Sequence, residues 1–247
     1  MKKHIPNIIT CCNLICGCIA TCCAFHHGHQ MAFIFILLGA LFDFFDGKVA
    51  RALGVSGKLG VELDSLADCV TFGVTPSAML FTLFNHVAYP AWMGNEFFFN
   101  VMPFTAFLMA AFSALRLAKF NIDERQHTEF IGMPTPANAI FWGALISSCE
   151  AWLTSPRFNA LFLFLFMILF CWLLVCEVPM FAFKGKLTWP KDKMKILFVM
   201  LTILSLTLGV LLSDEGVWIG LSRGAAVSIG LYVVNSIVAS FLPKNEE

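Results

Sequence analysis

Long apolar stretches follow one another along the whole chain, each closed by a short gap rich in charged or turn-forming residues. They fall at residues 6–25, 31–50, 60–85, 99–120, 134–153, 158–182, 194–212 and 217–241. Each approaches the ~20 residues that a helix needs to cross the hydrocarbon core of a bilayer. Inside lipid a single segment satisfies its backbone hydrogen bonds only as a helix, so all eight are predicted to be helical. Pro90, Pro103, Pro156 and Pro190 are expected at or near span ends, where a helix accepts proline. The expected fold is an all-α, polytopic membrane bundle with no soluble domain.

Charge gives the bundle an orientation. Lys and Arg accumulate in cytoplasmic loops. Sorted by gap, all sixteen fall on one side except Arg157 and Arg223, which with an even number of spans predicts that both termini are cytoplasmic. Composition agrees with a membrane protein: 59% of the 247 residues are hydrophobic, 13% are charged, and the mean hydropathy is +0.80. Soluble domains carry about 25% charged residues. A formal net charge of zero offers no electrostatic reason for a nucleic-acid partner. Of the ten cysteines, Cys11, Cys12, Cys16, Cys18, Cys22 and Cys23 lie inside the first apolar stretch, and are read as packing residues and not as a disulfide framework. The opening Met1-Lys2-Lys3 imitates a signal peptide, but the stretch behind it is too long and lacks a small-residue cleavage site, so it is read as an uncleaved first span. Basic residues at 184–195, with Trp189, either meet an anionic membrane surface or only set topology.

The acidic residues are not spread evenly. Asp43 and Asp46 close the second stretch, and Asp64 and Asp68 open the third. Residues three or four apart share a helix face. Gly60, Asp64 and Asp68 therefore form one stripe, and Asp43, Asp46, Gly47 and Ala50 another. A tight turn around Gly54–Gly57 is expected to join the two helices as an antiparallel pair, with both stripes facing one cavity. Four carboxylates there repel one another, and each costs about 2.5–3.5 kcal/mol near the bilayer centre. Hard divalent cations such as Mg²⁺ or Mn²⁺ offset that cost, because they prefer oxygen ligands. Such ions typically clamp phosphate oxygens. Gly47 and Gly60 lack a Cβ and let a bulky ligand approach the backbone, and Arg51 supplies a permanent cation with forked donors.

The pattern Asp43-x-x-Asp46-Gly47-x-x-Ala50-Arg51, then eight residues, then Gly60-x-x-x-Asp64-x-x-x-Asp68, resembles the signature of the CDP-alcohol phosphotransferases, with every motif position filled. The resemblance implies a six-span catalytic domain over residues 1–184, with 185–247 adding two spans and a short tail. It implies that Asp43, Asp46, Asp64 and Asp68 hold two divalent metals that bridge the diphosphate of a CDP-activated lipid. It assigns the nucleotide pocket to Gly47, Ala50, Arg51 and Gly60, and makes Asp68 the general base for the acceptor hydroxyl. A homodimer in a bacterial inner membrane, with its active site facing the cytoplasm, is also implied.

The signature does not name the acceptor. Ile5-Pro6-Asn7-Ile8-Ile9-Thr10 with Asn13-Leu14, the segments 65–76 and 114–121, Phe130-Ile131-Gly132-Met133-Pro134-Thr135-Pro136-Ala137 and Glu177-Val178-Pro179-Met180 resemble the bacterial phosphatidylserine synthases of the same family. The donor implied is CDP-diacylglycerol and the acceptor L-serine. Arg116 and Lys119, on the face of the aspartates, either grip the serine carboxylate or serve as topology anchors; Asn121 and Thr135 are candidates for further hydrogen bonds. Asn7, Thr10 and Asn13 recur at three-residue spacing and either face the nucleotide or bond neighbouring helices. His26, His27 and His29 are read as a solvated turn. Two other acceptors, glycerol 3-phosphate and inositol phosphate, remain as alternatives. So does a cation transporter using the aspartates as its ion site, although that reading leaves Gly47, Ala50, Arg51 and Gly60 without a purpose.

Overall fold

The structure, a computed structural model, describes residues 4–55, 57–123, 130–180 and 193–241. Helices occupy the eight expected places. Helix α1 spans Ile5–Phe25 and α2 spans His29–Leu53. The third segment is α3 (Lys58–Asp68), a π-helical stretch (Cys69–Val74) and α4 (Thr75–Phe84), in unbroken succession. The fourth is α5 (Glu96–Val101), a 3₁₀ stretch (Met102–Phe107) and α6 (Leu108–Ile122). Then come α7 (Thr135–Leu153), α8 (Ala160–Val175), α9 (Lys193–Leu211) and α10 (Val217–Phe241). Among the described residues, five segments are long and apolar enough to cross a membrane: Ile5–Phe25, Lys58–Phe84, Glu96–Ile122, Met194–Leu211 and Val217–Phe241. The chain is an all-α, multi-pass membrane protein.

Three local expectations change. The sixth span was expected to reach residue 182, but α8 stops at Val175. Val178 precedes a proline, which disfavours helical backbone there. Pro179–Met180 instead pairs antiparallel with Phe130–Ile131, and this two-residue ladder is the one sheet among the described residues. Pro103 lies inside the fourth segment and not at its end, in the opening turn of the 3₁₀ stretch. There its missing N–H leaves no helical bond unmade. Third, His29 is not solvated: it is 2% exposed, with Nδ1 3.0 Å from Glu150 Oε2 and Nε2 2.9 Å from Thr82 Oγ1. His26 and His27 are exposed. The basic stretch that either meets a membrane surface or only sets topology lies mostly outside the described residues, at Lys184, Lys186, Trp189 and Lys191.

The core gathers on α7, whose Trp142 is fully buried and meets Phe141, Phe166 and Phe170. Phe141 and Phe170 stack at 4.4 Å. On the other side, α1 packs along α2 and also against α3 and the π-helical stretch. Thr71, from that stretch, lodges between Gly17 of α1 and Gly39 of α2; a Cβ on Gly39 would fall 2.6 Å from Thr71 Cγ2. Thr71 Oγ1 donates to the Asn13 carbonyl (3.1 Å), and Thr75 Oγ1 to the Gly17 carbonyl (3.1 Å). One π-helical insertion thus keys the third segment into the α1–α2 pair. All ten cysteines are free thiols.

Candidate active site

The turn between the aspartate-bearing helices is built as its glycines suggest. Helix α2 ends at Gly54 with φ +63°, a left-handed conformation that glycine adopts without steric cost, and Val55 N–H closes back on the Ala50 carbonyl at 3.0 Å. The two helices are not simply a direct antiparallel pair, however. Helix α1 packs against both, and its Asn7, Thr10 and Asn13 reach the site, so three elements enclose it.

Carboxylate oxygens of Asp43, Asp64 and Asp68 all lie within 4.8 Å of one another. Asp46 stands apart from that trio because its Oδ2 accepts a 2.6 Å hydrogen bond from Thr10 Oγ1. Asp68 Oδ1 accepts from Asn13 Nδ2 at 3.0 Å. Asp46 and Asp68 are buried, and Asp43 and Asp64 half-buried. At an effective dielectric near 20, two unit charges this close repel by on the order of 3–4 kcal/mol. Asp64 Oδ1 is buried with no hydrogen-bond donor. An unpaired buried acceptor beside two more carboxylates fits a hard divalent cation in charge and in donor type. Asp43, Asp64 and Asp68 are the residues that would hold it, with Asp46 beside them.

Next to the trio opens a cavity of about 430 Å³. It is lined by Asn7, Thr10, Asp46, Gly47, Ala50, Arg51, Gly60 and Asp64, so the residues expected at the nucleotide, Asn13 excepted, line a single chamber. A Cβ on Gly60 would meet only Asn7 Oδ1, at 3.6 Å, and one on Gly47 only the Arg51 guanidinium, at 3.4 Å. Those glycines do not relieve crowding within the protein; they leave room in the chamber. Arg51, exposed in the last turn of α2, lines it too.

The four residues expected at the acceptor are placed differently from one another. Arg116 is buried and stacks on Phe120, 4.9 Å from the ring centroid, while Lys119 is exposed. Both line a small recess with Asp123 and Glu177. Asn121 is exposed and donates to Ser65 Oγ at 2.8 Å, tying α6 to α3. Thr135 is fully buried at the start of α7, its Oγ1 without a partner. Of the two readings open for Asn13, facing the nucleotide or bonding a neighbouring helix, its hydrogen bond to Asp68 of α3 is the second. The three-residue recurrence of Asn7, Thr10 and Asn13 was its signal in the sequence, whereas Thr71 escaped the reading of the site. Thr71 carries no such signal, because its role depends on the glycines it meets.

Comparison with known proteins agrees with this geometry. The family described as CDP-alcohol phosphatidyltransferase matches residues 3–189, which leaves α9 and α10 beyond the matched region. Over 239 residues the chain is 32% identical to the CDP-diacylglycerol--serine O-phosphatidyltransferase of Helicobacter pylori (strain J99), covering 94% of this chain and 89% of that protein. It is 39% identical over 138 residues to the protein of the same name from Bacillus subtilis, covering 54% of this chain and 70% of that one. The Saccharomyces cerevisiae protein of that name is 37% identical over 149 residues, covering 54% and 50% respectively. With the aspartate trio, the adjoining chamber and a match over most of its length, the chain belongs to the CDP-alcohol phosphatidyltransferase family.

Proposed function

We propose that this protein transfers the phosphatidyl group of CDP-diacylglycerol to L-serine, releasing phosphatidylserine and CMP with the help of a divalent metal. The observation that carries the reading is the convergence of Asp43, Asp64 and Asp68 at the edge of the chamber that holds Gly47, Arg51 and Gly60. A carboxylate cluster alone would serve many ions, but beside a chamber with one forked cation it serves a nucleoside diphosphate. Serine comes from the names of the relatives, one of which matches nearly the full chain.

In this reading the cytidine part of the donor lies in the chamber, with its diphosphate toward the carboxylates. Gly47 and Gly60 admit the nucleotide close to the backbone, and Arg51 pairs with phosphate oxygens. Asn13 fixes one oxygen of Asp68, which leaves the other to take the proton from the serine hydroxyl. That hydroxyl attacks the phosphorus bearing the diacylglycerol; the new P–O bond forms as the bond to CMP breaks. Thr10 holds Asp46 in one rotamer at the chamber wall. A bound divalent cation offsets the charge of the carboxylates and of the diphosphate as CMP leaves.

The excess of Lys and Arg on the aspartate side supports a cytoplasmic orientation for this chemistry, with both termini on the same side. A bacterial inner membrane and a homodimeric assembly belong to the same proposal and rest on the family resemblance. The deciding experiment supplies purified protein with CDP-diacylglycerol and a panel of alcohols. Serine should give the fastest metal-dependent CMP release; a clear preference for glycerol 3-phosphate would overturn the serine assignment.

A further inference from the structure

Helix α6 runs antiparallel to the third segment and in step with it. Near one end a Cβ on Gly73 would fall 3.1 Å from Ser113 Cβ, and near the other Asn121 Nδ2 donates to Ser65 Oγ at 2.8 Å. Eight residues separate Ser65 from Gly73 and eight separate Ser113 from Asn121, so the positions between the two contacts can be matched. Asp68, three beyond Ser65, stands level with Ala118, three before Asn121. Arg116 and Lys119 therefore bracket the level of the proposed base. Arg116, three residues after Ser113, also shares the helix face that meets the third segment.

The recess lined by these two cations is completed by the chain leaving α8. Cys176 N–H donates to the Trp172 carbonyl at 2.9 Å, and the Val178 carbonyl accepts from Gly132 N–H at 2.9 Å, so Glu177 is held between two anchored residues. Gly132, at φ +73°, lets the two segments come this close: a Cβ there would fall 2.8 Å from the Leu174 carbonyl oxygen. With Ile131 and Asp123 on its walls, one small recess carries two cationic and two anionic side chains. Lys119 and Glu177 are exposed, and among the described residues no ion pair joins them. An acceptor with negative charge alone would meet the carboxylates of Asp123 and Glu177, and one with positive charge alone would meet Arg116 and Lys119. A small molecule bearing one charge of each sign finds complementary groups for both.

We propose that Glu177 determines acceptor choice: its carboxylate receives the ammonium group of a zwitterionic amino alcohol whose own carboxylate lies against Arg116 and Lys119, with the hydroxyl toward Asp68. The inference deepens the serine reading and rests on it. It also gives the short ladder a purpose. Ile131 on one strand lines the recess, and Glu177 lies two residues before Pro179 on the other, so the pairing of the strands fixes the distance across the site.

The test measures CMP release by the full-length protein and its Glu177→Gln variant, with L-serine and with 3-hydroxypropionate, the same alcohol without the ammonium group. Loss of one charge-assisted hydrogen bond should raise the KM for L-serine about ten-fold, while kcat and the KM for CDP-diacylglycerol change less than about three-fold. The preference for L-serine over 3-hydroxypropionate should shrink by a similar factor, a change that a merely structural role would not produce. An unchanged serine KM, a fall in kcat alone, or an equal rise in the KM of both substrates overturns the proposal. Should Glu177→Gln fail to fold, Glu177→Asp, which withdraws the carboxylate by one methylene, must raise the serine KM by about three-fold or more; if it does not, the proposal is wrong. A wild type that prefers an acceptor without an ammonium group removes the serine reading and this inference together. A wild type that prefers serine, with the Glu177 variants unaffected, removes the inference alone.

Discussion

Asn13 of α1 donates a 3.0 Å hydrogen bond to Oδ1 of Asp68, fifty-five residues away on the third segment. The bond holds in place a carboxylate that lies in the trio with Asp43 and Asp64. Asn13 is itself held, because its carbonyl accepts from Thr71 Oγ1. The position of the proposed base is thus set by α1, an element with no acidic residue of its own.

Replacing Asn13 by Ala should lower kcat about 10–100-fold, with little change in the KM for either substrate, because the lost bond orients a reacting group without touching substrate. Steady-state CMP release at varied CDP-diacylglycerol and serine measures the split. A rise in KM without a fall in kcat would contradict this role.

Single Asp→Asn changes at Asp43, Asp64 and Asp68 should each reduce activity about 10²–10⁴-fold, and chelation should abolish wild-type turnover until Mg²⁺ or Mn²⁺ is restored. Asp46→Asn is expected to be milder, since the Thr10 hydroxyl can still pair with an amide oxygen. Equal losses at all four positions would show that Asp46 ligates as fully as the trio.

Glycine substitutions should separate binding from folding. Gly60→Leu intrudes on the chamber, where little protein stands in its way, so the KM for CDP-diacylglycerol should rise with little change in melting temperature. Gly39→Leu drives its side chain into Thr71 and Asn13, and should cost about 1–3 kcal/mol or more of stability through overpacking. Thermal unfolding in detergent checks both; a destabilised Gly60→Leu would mean the chamber wall packs against itself.

Arg223→Met should loosen α10 from α7. Cys149 departs from helical geometry (φ −125°, ψ 15°), and the Ser148 carbonyl just before it is taken up by the Arg223 guanidinium. Removing that donor leaves the carbonyl under-satisfied at a cost of about 1–3 kcal/mol. Faster proteolysis or hydrogen exchange in α10 is the expected readout, with protection in α1–α3 unchanged.

Local spacing made much of this protein legible without a structure. Apolar stretches of bilayer length gave eight helices, because a chain in lipid has no other way to satisfy one segment's backbone. The three- and four-residue intervals at Asp43/Asp46 and Asp64/Asp68 put each pair on one helix face, since helical periodicity is a property of neighbours in sequence. The sixth apolar stretch runs past the end of its helix at Val175, because apolar character alone does not register the pairing of Pro179–Met180 with Phe130–Ile131. What only the tertiary structure decided is which faces meet. Asp46 is drawn to Thr10, Asp68 to Asn13 and Thr71 into the Gly17–Gly39 seam, and His29, placed by sequence in a wet turn, is enclosed by Thr82 and Glu150. These partners are separated by tens of residues, and their choice depends on the packing angle and register of whole helices, quantities that no local pattern of residues contains.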